Sequence, residues 1–353
     1  MMRLSVLDQS PIRNDGSAAE AVAETIALAK TCEALGYHRY WVAEHHNTGS
    51  FAGSCPEILV ARLAAETRSI RVGSGGVMLP HYSPLKVAEQ FGMLELLAPG
   101  RIDLGIGRAP GTDERTSRAL QAGPEPWGIN AFPRQLLLLR QFLDDASGVA
   151  PFPDEHPYRG IHAMPRGQSR PQLWVLGSGL HSAVYAAELG LAFSHAHFIS
   201  PEGSEEACAT YRQRFKPSGW YARPTISLGV SVLAAETEEE GERLSASRNV
   251  WVVKLLAGRP IAFPSPEEAL AYPLTDQERA VLATVKGRSI VGTPEVLRAK
   301  LEDLAQRHGA EELVIVTITY DFASRLKSYE LLARAFSLGA PPLGARPSSA
   351  VTG

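Results

Sequence analysis

The sequence predicts an α/β fold of the TIM type, an eight-stranded (β/α) barrel with insertions. Strand-like and helical patterns alternate over nearly all of the 353 residues, with roughly eight of each, the number a closed barrel requires. A junction of helix, glycine, one or two residues and strand recurs at Gly36, Gly190 and Gly309. Glycine there ends a helix in the left-handed conformation and turns the chain back into the sheet. A doubly wound sheet with a second domain is the alternative, and the element count favours the barrel.

Leu4 to Leu7 forms the first strand. The following helix shows Val22, Ile26 and Ala29 on one face and stops at Gly36. Tyr40 to Ala43 is the second strand. A helix from Pro56 to Thr67 leads to the third strand, Ile70 to Leu79. The helix opening at Pro84 carries Val87, Phe91 and Leu94 at helical spacing and ends at Pro99-Gly100. Ile102 to Ile106 is the fourth strand. Phe132 to Leu143 reads as helix, Leu173 to Leu176 as strand, Ser182 to Leu189 as helix and Leu191 to Ser194 as strand. A helix over Glu205 to Arg214 precedes the strand Ile226 to Leu233. Leu313 to Thr319 is the last strand and Phe322 to Phe336 the closing helix. The barrel so defined spans residues 1–338, with insertions at 111–128 and 258–293. The second insertion holds Pro260, Pro264, Pro266 and Pro273; loops this long in a compact enzyme serve as lids or substrate walls. Residues 339–353, rich in Pro, Gly, Ala and Ser, read as a disordered tail.

Composition narrows the function. The chain is 44% hydrophobic and 21% charged with a net charge of −3, which argues against nucleic acid or an anionic membrane as partner. Cys32, Cys55 and Cys208 are odd in number and form no Cys-x-x-Cys pair, so neither a disulfide framework nor a zinc site is expected. The start, Met1 to Asp8, reads as a strand and not as a leader, and no apolar run reaches the roughly eighteen residues of a spanning helix. A cytoplasmic, metal-free protein is expected.

In a barrel, chemistry gathers where strands end. Glu44-His45-His46-Asn47 follows the second strand. A histidine poised near neutral pH suits acid/base work, and a neighbouring carboxylate can orient it. A metal site fits poorly, because adjacent histidines on an extended chain point to opposite faces. Mutual hydrogen bonding at the barrel rim is the plainer reading. Gly73-Ser74-Gly75-Gly76 ends the third strand. It runs on into strand residues, so it is read as a flat bed at Gly75 and Gly76 and not as a phosphate loop; a tight core position is the alternative. The strand-to-helix turn Gly177-Ser178-Gly179-Leu180-His181 fits an anion on a helix N-terminus, with Arg108 as countercharge. Simple capping by Ser178 or Ser182 is the alternative. His195 and His197 are candidates to line the pocket, His81 is a rim residue, and Trp41 and Trp174 read as core.

Together these residues resemble the bacterial-luciferase-like flavin monooxygenases. The resemblance rests on Glu44-His45-His46, Gly73 to Pro80, Gly100 to Asp113, Leu176 to Gly179, Val291 to Pro294 and Ser328 to Leu332. It spans the chain to about Leu338 and implies reduced FMN as cofactor, delivered by a separate flavin reductase. Oxygen would add to the reduced ring as a flavin hydroperoxide and pass to a small substrate, such as an aldehyde, ketone or aromatic natural product. The resemblance places Gly75-Gly76 beside the flavin ring, where the family often has a non-proline cis peptide. It assigns Arg108, Ser178, Gly179 and His181 to the phosphate site. His45 matches the acid/base histidine, with Glu44 as its orienter, and 258–293 matches a mobile lid. Two departures stand out. Gly107 replaces the luciferase cysteine and Gly177 replaces its glutamate, so light emission is not implied. The alternatives are a deazaflavin-dependent hydride-transfer enzyme and a non-catalytic flavin-binding protein of the same fold. A homodimer through exposed helix faces is a further expectation.

Overall fold

The computed structural model describes residues 2–109, 111–121, 128–259 and 261–339. Its strands are β1 (Arg3–Asp8), β2 (Arg39–Val42), β3 (Arg71–Met78), β4 (Ile102–Gly107), β5 (Gln172–Gly177), β6 (Ala192–Ala196), β7 (Ile226–Ala234), β8 (Ser289–Gly292) and β9 (Glu312–Val316). Eight of them close a parallel ring, β1 to β7 followed by β9, which pairs back with β1. β8 stands outside the ring and pairs only with 231–234 of β7.

The helices are α1 (Ala18–Leu35), α2 (Pro56–Glu66), α3 (Pro84–Leu97), α4 (Glu114–Leu120), α5 (Phe132–Ala146), α6 (Leu180–Glu188), α7 (Ser204–Arg214), α8 (Glu238–Leu256), α9 (Pro266–Leu270), α10 (Asp276–Gly287), α11 (Pro294–His308) and α12 (Phe322–Ala335). α1 opens on a capping box between Ser17 and Glu20. The three junction glycines are left-handed, with φ of 87° at Gly36, 61° at Gly190 and 58° at Gly309. They release the chain from α1, α6 and α11 toward β2, β6 and β9.

The segment 258–293 is not the single long loop expected. Ser265 with Glu268 and Thr275 with Glu278 form capping boxes that start α9 and α10, and Pro266 sits in the first turn of α9, a favoured position. Pro266 therefore marks a helix start, Pro264 and Pro273 lie between helices, and Pro260 lies outside the described residues. Glu278 accepts from Lys254 of α8 and from Arg259, both at 2.8 Å. α8 itself escaped the sequence reading, because its first turn, Glu238-Glu239-Glu240, is polar and hides the apolar face behind it. In the first insertion Asp113 caps α4 through the amides of Arg115 and Thr116. Residues 122–127 of that insertion and 340–353 of the expected tail lie outside the described residues.

An ionic layer fills the barrel beneath its mouth. Arg39 bonds Asp103 at 2.7 Å and Glu312 at 2.6 Å, and Arg71 bonds Asp103 at 2.6 Å. Trp41 Nε1 donates to Asp103 at 3.0 Å, and the Arg39 guanidinium lies 4.7 Å from the Trp174 ring centre. Two cations thus meet two carboxylates, which offsets the cost of taking them from water. Burial would raise the Asp103 pKa, but the Arg39 and Arg71 charges outweigh it and hold the carboxyl below its usual range.

Above this layer β3 and β4 approach closely. A Cβ on Gly73 would lie 2.2 Å from the Asp103 carbonyl oxygen, and one on Gly105 would lie 2.3 Å from that of Ser74. Gly75 pairs with Gly105 and Val77 with Ile106, so Gly76 is the extra residue of a bulge. The Gly75–Gly76 peptide is cis, as the resemblance implied.

Asp103→Asn should lower unfolding free energy by about 3–5 kcal/mol, since both arginines lose a buried countercharge; urea denaturation at pH 7 measures it. The folded pKa of Asp103 lies below the unfolded one. Its contribution is therefore complete above about pH 5 and fades as pH falls below about 4. Gly105→Ala should cost about 1–3 kcal/mol by the same assay, because its Cβ meets backbone that cannot yield.

Candidate functional site

A cavity of about 390 Å³ opens at the carboxyl ends of the barrel strands. Every ring strand contributes to it: Leu7, Trp41, Gly75 and Gly76, Gly107, Leu176, Ser194, Gly229 and Val314. Phe198 and Ile199 extend the apolar wall. The six residues expected to hold a cofactor, Gly75, Gly76, Arg108, Ser178, Gly179 and His181, all line this one cavity.

The glycines are demanded first by the protein itself. A Cβ on Gly75 would meet Leu7 Cδ1 at 2.7 Å, and one on Gly76 would meet Leu176 Cδ1 at 2.6 Å. The flat bed and the tight core position are therefore one feature, with packing on one side and the cavity on the other. Gly177 is equally constrained, because the Ser182 hydroxyl lies 2.2 Å from where its Cβ would stand.

The anion corner has a distinct origin. α6 begins at Leu180 after Gly179, which is extended at φ −157° and ψ 173°, and no side chain caps it. Neither Ser178 nor Ser182 takes the capping role considered from sequence. The first-turn amides therefore keep their hydrogen-bonding capacity, and Gly179, His181 and Ser182 of that turn face the cavity. A helix start of this kind favours negative charge. Arg108 lines the same space half-buried, and no carboxylate among the described residues pairs with it. The cavity is thus apolar with one cationic corner.

Glu44 and His45 lie outside the cavity lining. The expectation that Glu44 orients His45 is corrected: Glu44 Oε1 bonds His46 Nε2 at 2.8 Å. Positions 44 and 46 share a side of an extended segment and 45 faces the other way, a periodicity already present in the sequence. Glu44 also accepts from the Tyr82 hydroxyl at 2.8 Å and from the Met78 amide at 2.9 Å. The His45 ring packs on Phe51 with centroids 4.6 Å apart, and its Nδ1 is buried without a partner. Burial, with a smaller push from His46, lowers the His45 pKa to about 4, so the ring is neutral at pH 7.

The same alternation corrects the later histidines. Ser194 and Ala196 face the cavity, and His195 between them points away, bonded through Nε2 to the Ser200 carbonyl at 3.1 Å. His197 is bonded to Ser204 at 3.1 Å and does not line the cavity either. His81 is buried just past β3, and Trp41 and Trp174 are core residues, Trp41 reaching the cavity floor. Phe198 and Ile199 were missed because they sit in a turn whose path no periodicity fixes, and Met78, the last residue of β3, was not singled out as a lining residue. Among the described residues no His, Cys, Asp or Glu group could hold a metal, and no helix is long and apolar enough to cross a membrane.

The luciferase-like monooxygenase family model matches residues 2–312. An N-acetyl-S-alkylcysteine monooxygenase of Bacillus subtilis (strain 168) is 41% identical over 338 residues, covering 95% of this chain and 98% of its own. The crystal structure of apo-MsnO8 aligns with a TM-score of 0.87 at 41% identity, over 96% of this chain and 99% of that one. The oxygenase component of a flavin-dependent trigonelline monooxygenase from Acinetobacter baylyi is 25% identical over 316 residues, covering 88% of this chain and 80% of its own. Two more distant structures share the fold alone. One is an FMN complex of the oxygenating constituent of 3,6-diketocamphane monooxygenase from Pseudomonas putida, with a TM-score of 0.67, 18% identity and coverage of 94% and 97%. The other is an F420-dependent secondary alcohol dehydrogenase, with a TM-score of 0.68, 12% identity and coverage of 95% and 98%. By a match across nearly its whole length, the chain belongs to the luciferase-like monooxygenase family.

Proposed function

We propose that the protein is the oxygenase component of a two-component FMN-dependent monooxygenase. It takes reduced FMN from a separate flavin reductase and uses oxygen to oxygenate a small organic substrate. The observation that carries this reading is the uncapped start of α6 sharing an otherwise apolar cavity with Arg108. A phosphate suits that corner, and a flat ring suits the side-chain-free surface at Gly75 and Gly76. When bound, reduced FMN supplies the electrons that activate oxygen.

The chain's own residues do the rest. Ser178, Gly179 and the first amides of α6, with Arg108, would hold the phosphate, and His181 would border it. Leu7, Leu176, Phe198, Ile199 and Val314 keep water from the reacting centre. His45 is neutral and lies outside the cavity lining, so a proton-transfer role for it requires the loop that carries it to move toward the cavity during turnover. Glu44 acts elsewhere, on the loops around the mouth. Cys32, Cys55 and Cys208 are all free thiols, in keeping with a reducing cytoplasm. The substrate panel includes aldehydes, ketones and aromatic natural products. The N-acetyl-S-alkylcysteine monooxygenase relative adds thioethers to it.

Oxygen uptake with chemically reduced FMN should rise on addition of one member of that panel, with oxygenated product in step. Uptake that yields only hydrogen peroxide, or an anaerobic hydride transfer from a reduced deazaflavin, would overturn the assignment. Arg108→Ala should weaken FMN binding about tenfold or more, as loss of a charge-assisted contact does; flavin fluorescence quenching reads this directly. His45→Ala should bind FMN as the parent does and lose most substrate turnover. Because the His45 pKa is near 4, kcat/KM in the parent should show no inflection from this group between pH 6 and 8.

A further inference from the structure

Glu44 is fully buried, yet it does not itself line the cavity. Instead its three hydrogen bonds tie the loop after β2 to the end of β3 and the turn beyond it. Oε2 accepts from the Met78 amide, at the end of the β3 segment that carries Gly75 and Gly76. Oε1 accepts from the Tyr82 hydroxyl, just beyond that turn, and bonds His46 Nε2 in its own loop. Burial and the Glu44 charge together push the Tyr82 pKa up, which keeps the phenol a donor.

The contacts continue from His46 into the loop after β4. The Thr112 hydroxyl donates to the His46 carbonyl at 3.0 Å, and the His46 amide donates to the Gly111 carbonyl at 3.4 Å. Asn47 Nδ2 donates to Asp113 at 3.0 Å, and Asp113 also caps α4. Gly111 is left-handed at φ 62°, and a Cβ there would meet the Glu44 carbonyl oxygen at 3.1 Å and Met78 Cγ at 3.2 Å. Arg108 lies three residues before Gly111, on the loop so held.

From this arrangement we infer that Glu44 is a positioning residue for cofactor binding. Through the Met78 amide it fixes the bed at Gly75 and Gly76. Through His46, Gly111 and Thr112 it fixes the loop that presents Arg108 to the phosphate of FMN. The assignment rests on the FMN reading above and gives the Glu44-His46 pair a role separate from His45. A carboxylate suits the position because it accepts from three donors at once; the amide of glutamine offers one acceptor oxygen and adds two donors. Held loops lose less freedom when a ligand binds, so the affinity arises before the ligand arrives.

The test compares FMN with riboflavin, which lacks the phosphate, by fluorescence titration of the full chain. The parent should prefer FMN, and Arg108→Ala should reduce the preference about tenfold or more. Glu44→Gln should reduce that preference about tenfold, and His46→Gln should reduce it in the same direction. Glu44→Asp should restore part of it, and His45→Gln should leave it intact. Circular dichroism and the thermal midpoint identify any variant that fails to fold, and Thr112→Val then tests the same link from the far side. If the parent and Arg108→Ala behave as stated but folded Glu44→Gln and Thr112→Val keep the full preference, the inference is wrong and the FMN reading stands. If the parent itself shows no preference for FMN, the FMN reading fails.

Discussion

Strands β3 and β4 approach so closely that neither tolerates a side-chain carbon where they face each other. Gly73 and Gly105 each lie against a backbone carbonyl, and Gly75 and Gly76 against Leu7, Trp41 and Leu176. This closeness clears one wall of the barrel mouth of side chains. The bulge at Gly76 follows, with Met78 at the end of β3 paired to Gly107 and Arg108 next beyond β4. The site is made by packing before any cofactor enters.

Polarity is divided along the barrel axis. Arg39, Arg71, Asp103 and Glu312 concentrate charge in the lower layer, where each finds a partner. The mouth above is apolar, with Trp41 and Trp174 crossing edge-on at 5.4 Å between the two regions. Trp41 joins them: its indole donates downward to Asp103, and its ring body reaches the cavity. An apolar pocket over a neutralised ionic layer leaves the uncapped start of α6 and Arg108 as the main polar attraction at the mouth.

The barrel and its junctions were legible because glycine at a helix end and the alternation of two periodicities are local signals. That Gly75, Gly76, Arg108, Ser178, Gly179 and His181 share one cavity was legible through the resemblance, whose motifs fall at strand ends. Other features were obscured for physical reasons. α8 was missed because three glutamates open it, and α9 and α10 because prolines read as breaks when one begins a helix. The partner of Glu44 was misassigned although the two-residue period of an extended segment pointed to His46. His195 was placed in the pocket although the same period favours its neighbours Ser194 and Ala196.

The central claim is that one apolar cavity holds FMN by its phosphate at the α6 start. A crystal structure of the protein soaked with FMN tests it most directly. The phosphate should lie within hydrogen-bond distance of the backbone amides at Gly179 and Leu180 and of the Arg108 guanidinium, with the ring against Gly75 and Gly76. A flavin bound with its phosphate away from α6, or with its ring off the β3 surface, would contradict the account.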